Sequence, residues 1–353
     1  MTRSKLRAGR ALTTLPYGVM GVVAVTEMAT PTGFGLLPLI SLGPAFAGLV
    51  GSKRRTARIG AIAVLLCVIL AAYDGTLGKR RVYIAAISVA GVTAAGLAAV
   101  AMRERRDAEL ASVRSIAEVA QRVLLRPVPR LAGELRVAVS YTSAVAQARI
   151  GGDLYEVVAV ADGTRAVIGD VQGKGLEAVE TAALVLGAFR EAAHDEPELA
   201  GLGRRLQRAV DRELQGERFV SALLVEVPAG RSEVTFLNFG HPAPMVVRPD
   251  GTTLFPEPPQ YALPLGLGMH GGDEPVPYTV PFASGDQILL YTDGVSEARD
   301  GAGDFYPLAE RFGLLKDPDA EAALETLRTD LVHHVTGPLH DDAAMLLLRH
   351  RED

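Results

Sequence analysis

Hydrophobic positions divide the chain into two regimes. Between residues 11 and 102 they form long runs, and beyond Pro129 they mostly alternate with a period of two. The four runs are Ala11 to Met28, Phe34 to Val50, Ile59 to Tyr73 and Val82 to Met102. A membrane-spanning helix needs about 20 apolar residues and tolerates about 17. The fourth run meets that length, the second just reaches it and the third is short. The first carries Thr13, Thr14, Pro16 and Glu27, and Glu27, near its end, reads as an interfacial acid. The pattern predicts an all-α transmembrane region of about four helices over residues 1–102.

A helical stripe follows. Leu110, Val113, Ile116, Val119, Ala120, Val123 and Leu124 recur at spacings of three and four, which predicts a linker helix over 103–128. The stripe fits either the seam of a parallel homodimer or a first helix packed on its own domain. "RPVPRL" should stop it, since proline lacks the amide a helix needs.

From residue 129 to 353 the elements are strands and two kinds of helix. "LRVAVSYTSA" alternates as a strand, and "LYEVVAV" and "RAVIGDV" are strands joined by the hairpin signal "ADGT". Two adjacent helices, "EAVETAALVLGAFREAAH" and "LAGLGRRLQRAVDRELQ", interrupt the strands. "RFVSALLVEV", "EVTFLNFG", "APMVVRP", "TTLFP" and "DQILLYTDG" resume them, and the helix "DAEAALETLRTDLVHHV" precedes a last strand, "AAMLLLRH". A strand-rich block interrupted this way predicts an α+β layered sandwich rather than a βαβ repeat.

Charge sharpens the membrane reading. Basic clusters lie before run one (Arg3, Lys5, Arg7, Arg10), between runs two and three (Lys53, Arg54, Arg55, Arg58) and after run four (Arg103, Arg105, Arg106). By the positive-inside rule all three belong in the cytoplasm, which requires an even number of crossings. Lys79, Arg80 and Arg81 then lie outside, against the rule. The expected location is the cell membrane, multi-pass, with the C-terminal domain cytoplasmic. The 353 residues have a mean hydropathy of +0.20 and a net charge of −5, and nothing in that balance points to a nucleic-acid binder with a basic face. The single cysteine, Cys67, forms no intrachain disulfide.

The chemistry lies at strand ends. Asp153 follows Gly151-Gly152 and opens one strand of the hairpin, and Asp170 closes the other. Asp293-Gly294 ends "ILLYTDG", and Asp341-Asp342 opens the last strand. Each taken alone is an ordinary turn or loop. Together they form a carboxylate set that repels itself unless a hard divalent cation compensates it. An oxygen-only set favours Mg²⁺ or Mn²⁺ over zinc, and two such ions can activate a water against phosphorus.

The ordered motifs "GGDLYEV", "IGDVQGKGLEA", "NFGHPAP", "LPLGLG", "LLYTDGVSEARD" and "DDAAMLLL" resemble bacterial PPM-type (PP2C-like) serine/threonine phosphatases of the SpoIIE class, over about residues 115 to 350. The resemblance implies an αββα sandwich with a binuclear Mn²⁺ or Mg²⁺ centre. Carried over, Asp170 is shared by both ions and the Val171 carbonyl binds one. Asp293 and Asp341 complete the first site, Asp153 holds the second directly or through water, and Asp342 is a neighbour. Asn238 and His241 fall in a turn near the site, with His241 read as structural or catalytic. Glu156, a longer acid that can still act through water, stands where the class usually has an aspartate. Gln172 stands where it usually has a serine, and near a histidine general acid of eukaryotic relatives. The implied substrate is a phosphoserine or phosphothreonine protein, a STAS-type anti-sigma-factor antagonist in a partner-switching circuit.

Two rivals differ in kind. A P-loop needs G-x-x-x-x-G-K-[ST], and "GDVQGKG" is one spacer short with Gly175 in the hydroxyl position. Lys174 therefore reads as a solvent-facing or substrate-edge residue. The other rival is a catalytically inactive membrane sensor or scaffold that keeps the phosphatase fold.

Overall fold

A computed structural model describes residues 3–29, 35–142, 152–214, 218–268, 271 and 273–351, with the side chains of 3–13 and 113–123 outside that description. Gly151, the side chains of the basic cluster before run one and the side chains of most of the linker stripe therefore lie outside the description. The chain divides into two compact units, Met1–Ala111 and Ser112–Asp353.

The first unit is helical: α1 (Arg3–Ala29), a 3-10 turn (Leu37–Ser41), α2 (Leu42–Val50), α3 (Lys53–Tyr73) and the first part of α4 (Arg80–Leu124). Two stretches, Lys53–Tyr73 and Arg80–Ser112, are long and apolar enough to cross a membrane. The second apolar run departs from expectation. Pro38 and Pro44 lie within it, and it forms the 3-10 turn and a nine-residue helix instead of one continuous rod. The fourth run and the linker are one 45-residue helix that ends at Leu124, before Pro127. Glu27 is buried within this unit, and its carboxylate accepts the Leu36 amide at 2.7 Å. Lys53 pairs with Glu104 at 2.6 Å, and Arg103 donates to the Leu49 and Gly51 carbonyls at 2.7 Å each. The second and third basic clusters therefore lie at the same end of this unit.

The second unit is a four-layer sandwich. One antiparallel sheet has the order β1 (Leu131–Ala132), β2 (Leu135–Thr142), β11 (Ala343–His350), β10 (Gln287–Tyr291), β7 (Met245–Val247), β8 (Thr253–Leu254). The other has the order β3 (Asp153–Val160), β4 (Gly163–Val171), β5 (Val220–Pro228), β6 (Glu233–Phe239), β9 (Tyr278–Pro281). Between the sheets lies a core that includes Ile168, Leu223, Phe236, Leu290 and Leu346. Helices α5 (Leu176–Asp195) and α6 (Leu199–Leu214) cover the second sheet through Phe189, Leu202 and Leu206. Helix α8 (Ala320–His334) and a 3-10 segment, Leu308–Lys316, cover the first through Leu324, Leu327 and Leu315. The order α, β, β, α is the one implied by the motifs. Alternation explains it, because a strand buried on both faces gives one row to the inter-sheet core and the other to a helix layer.

Candidate active site

The "ADGT" turn sets the site. Val160 pairs with Gly163, and the same register brings Asp153 directly opposite Asp170. Asp153 shares a strand face with Tyr155 and Val157, and Asp170 with Ile168 and Ala166, so both carboxylates lie on the inter-sheet side. The facing sheet supplies the rest. Asp293 opens a short helix, α7 (Asp293–Ser296), just past β10, while Asp341 and Asp342 precede β11, the neighbour of β10.

Thr292 joins the two sheets. Its hydroxyl donates to Asp153 Oδ2 at 3.0 Å and accepts the Ala344 amide at 3.0 Å. Lys174, expected to face solvent or to line the substrate edge, places Nζ 2.6 Å from Asp341 Oδ1. Two glycines permit the crowding. A Cβ on Gly152 would lie 2.4 Å from the Val171 carbonyl oxygen and 2.8 Å from Asp170 Oδ1. One on Gly294 would lie 1.7 Å from the Asp342 carbonyl oxygen. Past Asp170 the chain turns into α5 through Gly173 and Gly175, at φ +98° and +96°, a region L side chains avoid.

Electrostatics follow the geometry. Burial, and then the neighbouring Asp293 and Asp341, push the Asp170 carboxyl up to about 7. Burial, Asp170 and Asp342 raise Asp153 well above the usual carboxylate range. Burial and Asp341 raise Asp293. Positive charge, as protons or as a cation, therefore stabilises the cluster. Among the described residues no three acidic, histidine or cysteine side chains are poised around one point as ion ligands, with Thr292 bonded to Asp153 and Lys174 to Asp341. The donor set nonetheless fits a hard divalent cation. It is oxygen-only, it converges from both sheets, and Gly152 leaves free the space beside Asp170 and the Val171 carbonyl.

Three neighbours resolve differently from one another. Glu156 is on the opposite face of β3 from Asp153, against α5, where Arg190 holds it at 2.9 Å through Nε and 2.5 Å through Nη2. The expectation that it acts in the site through water fails on strand parity. His241 is structural: Nδ1 lies 2.9 Å from Ser221 Oγ and Nε2 lies 3.1 Å from the Tyr291 carbonyl. The carbonyl only accepts, so Nε2 carries the proton and Nδ1 accepts from Ser221. Burial holds the ring neutral, lowered to about 3. Asn238 closes that turn, accepting the His241 amide at 2.8 Å and donating to its carbonyl at 2.9 Å. Gln172 is exposed, and its amide extends the β4–β5 ladder to the Phe219 carbonyl at 2.9 Å. Thr292 was missed by the sequence reading. The available signal was a hydroxyl residue placed between an apolar strand and Asp293.

The sequence profile described as Stage II sporulation protein E (SpoIIE) matches residues 161–351, more than half of the chain. The chain belongs to the SpoIIE family. This SpoIIE-family chain is 25% identical over 211 residues to the phosphoserine phosphatase RsbU of Bacillus subtilis (strain 168), across 58% of this chain and 60% of that protein. It thus spans less than two thirds of the length of that curated relative. It resembles the crystal structure of the RsbU and RsbW domains of Rv1364c from Mycobacterium tuberculosis, with a TM-score of 0.53 and 25% identity over 64% of this chain and 62% of that one. It also resembles the SiaA-PP2C domain of Pseudomonas aeruginosa, with a TM-score of 0.55 and 22% identity over 72% of this chain and all of that one. The fold of the SpoIIE-family unit is PP2C-like.

Proposed function

We propose that the chain is a metal-dependent protein serine/threonine phosphatase, anchored in the membrane, with residues 129–353 as its cytoplasmic catalytic domain. The observation that carries this reading is the register that sets Asp153 against Asp170 and meets them with Asp293 and Asp341 from the other sheet. On this reading Asp170 is shared by two Mn²⁺ or Mg²⁺ ions, Asp293 and Asp341 complete one site, Asp153 holds the other directly or through water, and the Val171 carbonyl binds one of the two. Two such ions, when bound, supply an activated water for in-line attack on phosphorus. The protein's own residues position that centre: Thr292 orients Asp153, and the glycines at 152 and 294 let the strand ends close. Lys174 leaves Asp341 and lies at the edge where a phosphate enters. Kinship with RsbU supports a phosphorylated anti-sigma-factor antagonist of the STAS type as substrate, in a partner-switching circuit. The apolar helices and the basic clusters at one end of the first unit support the membrane placement, and the 45-residue α4 offers a homodimer seam.

The test uses the full chain in detergent micelles with p-nitrophenyl phosphate and a phosphoserine peptide. Turnover is expected with Mn²⁺ and not with chelator, and Asp170→Ala and Asp293→Ala should each abolish it. Undiminished Mn²⁺-dependent turnover in either variant would refute the assignment. Absence of turnover in the wild type would favour a scaffold.

A further inference from the structure

At the end of the first sheet remote from the carboxylates, the register aligns Arg136 of β2, Arg349 of β11, Gln287 of β10 and Val247 of β7 side by side. Gln287 and Tyr291 bound β10, so this row lies about 14 Å along the strand from the end that carries Asp293, at roughly 3.4 Å per residue. All four positions share the face covered by α8 and the 3-10 segment; Val247 belongs to the buried core there, and Arg136, Gln287 and Arg349 lie one row beyond it. The row borders a cavity of about 660 Å³, also lined by Phe312, Lys316 and Arg351. That volume is within the range of small-molecule sites, about 300–1,000 Å³.

The charges there are arranged unusually. Arg136 and Arg349 are directly opposite on antiparallel strands, a like-charge pairing that opposes folding. Arg349 is held rigidly: it donates to Gln287 Oε1 at 3.1 and 2.9 Å and to the carbonyls of Leu315, Asp317 and Pro318 at 2.9, 2.7 and 2.8 Å. Arg248 is neutralised by the buried Asp286. Arg136, Lys316 and Arg351 are exposed, and among the described residues no carboxylate stands within 4.0 Å of any of them. Lys316 sits 5.7 Å over the Phe312 ring. Three cations thus converge on a concave site beside a fourth locked in place, and no acidic side chain lines the cavity.

We propose that this cavity binds a small molecule carrying a diphosphate group, with Arg136, Lys316 and Arg351 as the phosphate contacts and Arg349 as a fixed positive charge at the floor of the site. A diphosphate matches several cations better than a single carboxylate, because it carries more negative charge and enough terminal oxygens for each cation to bind its own. The site shares no residue with the carboxylate cluster, so its occupancy needs no divalent ion.

The experiment is isothermal titration calorimetry on the full chain in micelles, with EDTA and 150 mM chloride, using inorganic pyrophosphate, ADP and orthophosphate. Saturable binding of pyrophosphate or ADP at least tenfold tighter than orthophosphate is expected; which of the two is tighter tells a free diphosphate from a nucleotide. Arg136→Gln and Lys316→Gln should each weaken binding at least tenfold without lowering the ligand-free melting temperature, and Asp170→Asn should leave binding unchanged. Equal, chloride-sensitive binding of all three anions would overturn the proposal, as would full affinity in the Arg136→Gln/Lys316→Gln double variant. So would loss of binding in Asp170→Asn, which would place the ligand at the carboxylates.

Discussion

Gly294→Ala is the sharpest probe of how the strand ends meet. The added Cβ would lie 1.7 Å from the Asp342 carbonyl oxygen and 2.7 Å from its carbon, whereas ordinary contact begins near 3.4 Å. Both clashing atoms belong to the backbone, so no rotamer change relieves them. Either the start of α7 or the Asp341–Asp342 segment must retreat by about 1.7 Å, which opens the gap between Asp293 and Asp341. A misplacement of about 1 Å in a reacting constellation costs on the order of 100-fold in rate. We therefore expect kcat/KM to fall by at least about 100-fold, or about 2.7 kcal/mol of transition-state stabilisation. Overpacking of this kind costs about 1–3 kcal/mol of stability, so the variant should stay folded with a lowered Tm. The assay is Mn²⁺-dependent hydrolysis of a phosphoserine peptide, with circular dichroism and a thermal melt on the same sample. A folded Gly294→Ala variant within threefold of wild-type kcat/KM would show that the separation of these two strand ends does not limit the reaction.

Thr292→Val should reduce kcat/KM at least tenfold and destabilise the fold by about 1–3 kcal/mol, since the Ala344 amide and Asp153 each lose a buried partner, and Thr292→Ser should restore most of both. Equal activities for the two variants would exclude the hydroxyl as the positioning group. His241 has its folded pKa lowered from 6.5 to about 3, so the unfolded chain binds the proton first on acidification. Its contribution to stability is present above pH 6.5 and is lost as the pH falls toward 3, by up to roughly 5 kcal/mol. Nuclear magnetic resonance of ¹³C-labelled histidine should accordingly show no titration of His241 above pH 5, and a midpoint above pH 6 would contradict the buried neutral ring.

Much of the second unit is legible because its signals are local. A two-residue hairpin fixes register, and register alone decides that Asp153 faces Asp170. The helix stop before Pro127 is equally local. Glu156 shows the cost of carrying a role over by sequence proximity: an odd offset of three from Asp153 reverses the strand face, and the side chain belongs to Arg190. The pairing of β2 with β11 joins residues about two hundred positions apart, and no periodicity encodes that choice. Edge strand β9, four residues long and ending in proline, has too little alternation to be read, and the sequence reading missed it. In the first unit, hydropathy measures transfer to lipid but not backbone continuity, so the prolines of the second run mattered more than its apolar count.

The hydroxyl of Thr292 has one proton to give, and it gives it to Asp153 while receiving the amide of Ala344. That amide consequently reports on the site from a backbone position inside β11. When Asp153 is drawn toward a ligand or Thr292 rotates, the protection of Ala344 against hydrogen exchange should change, while amides deeper in β11 keep theirs. Occupancy of the site can thus be followed at one peptide group, without substrate, chromophore or turnover.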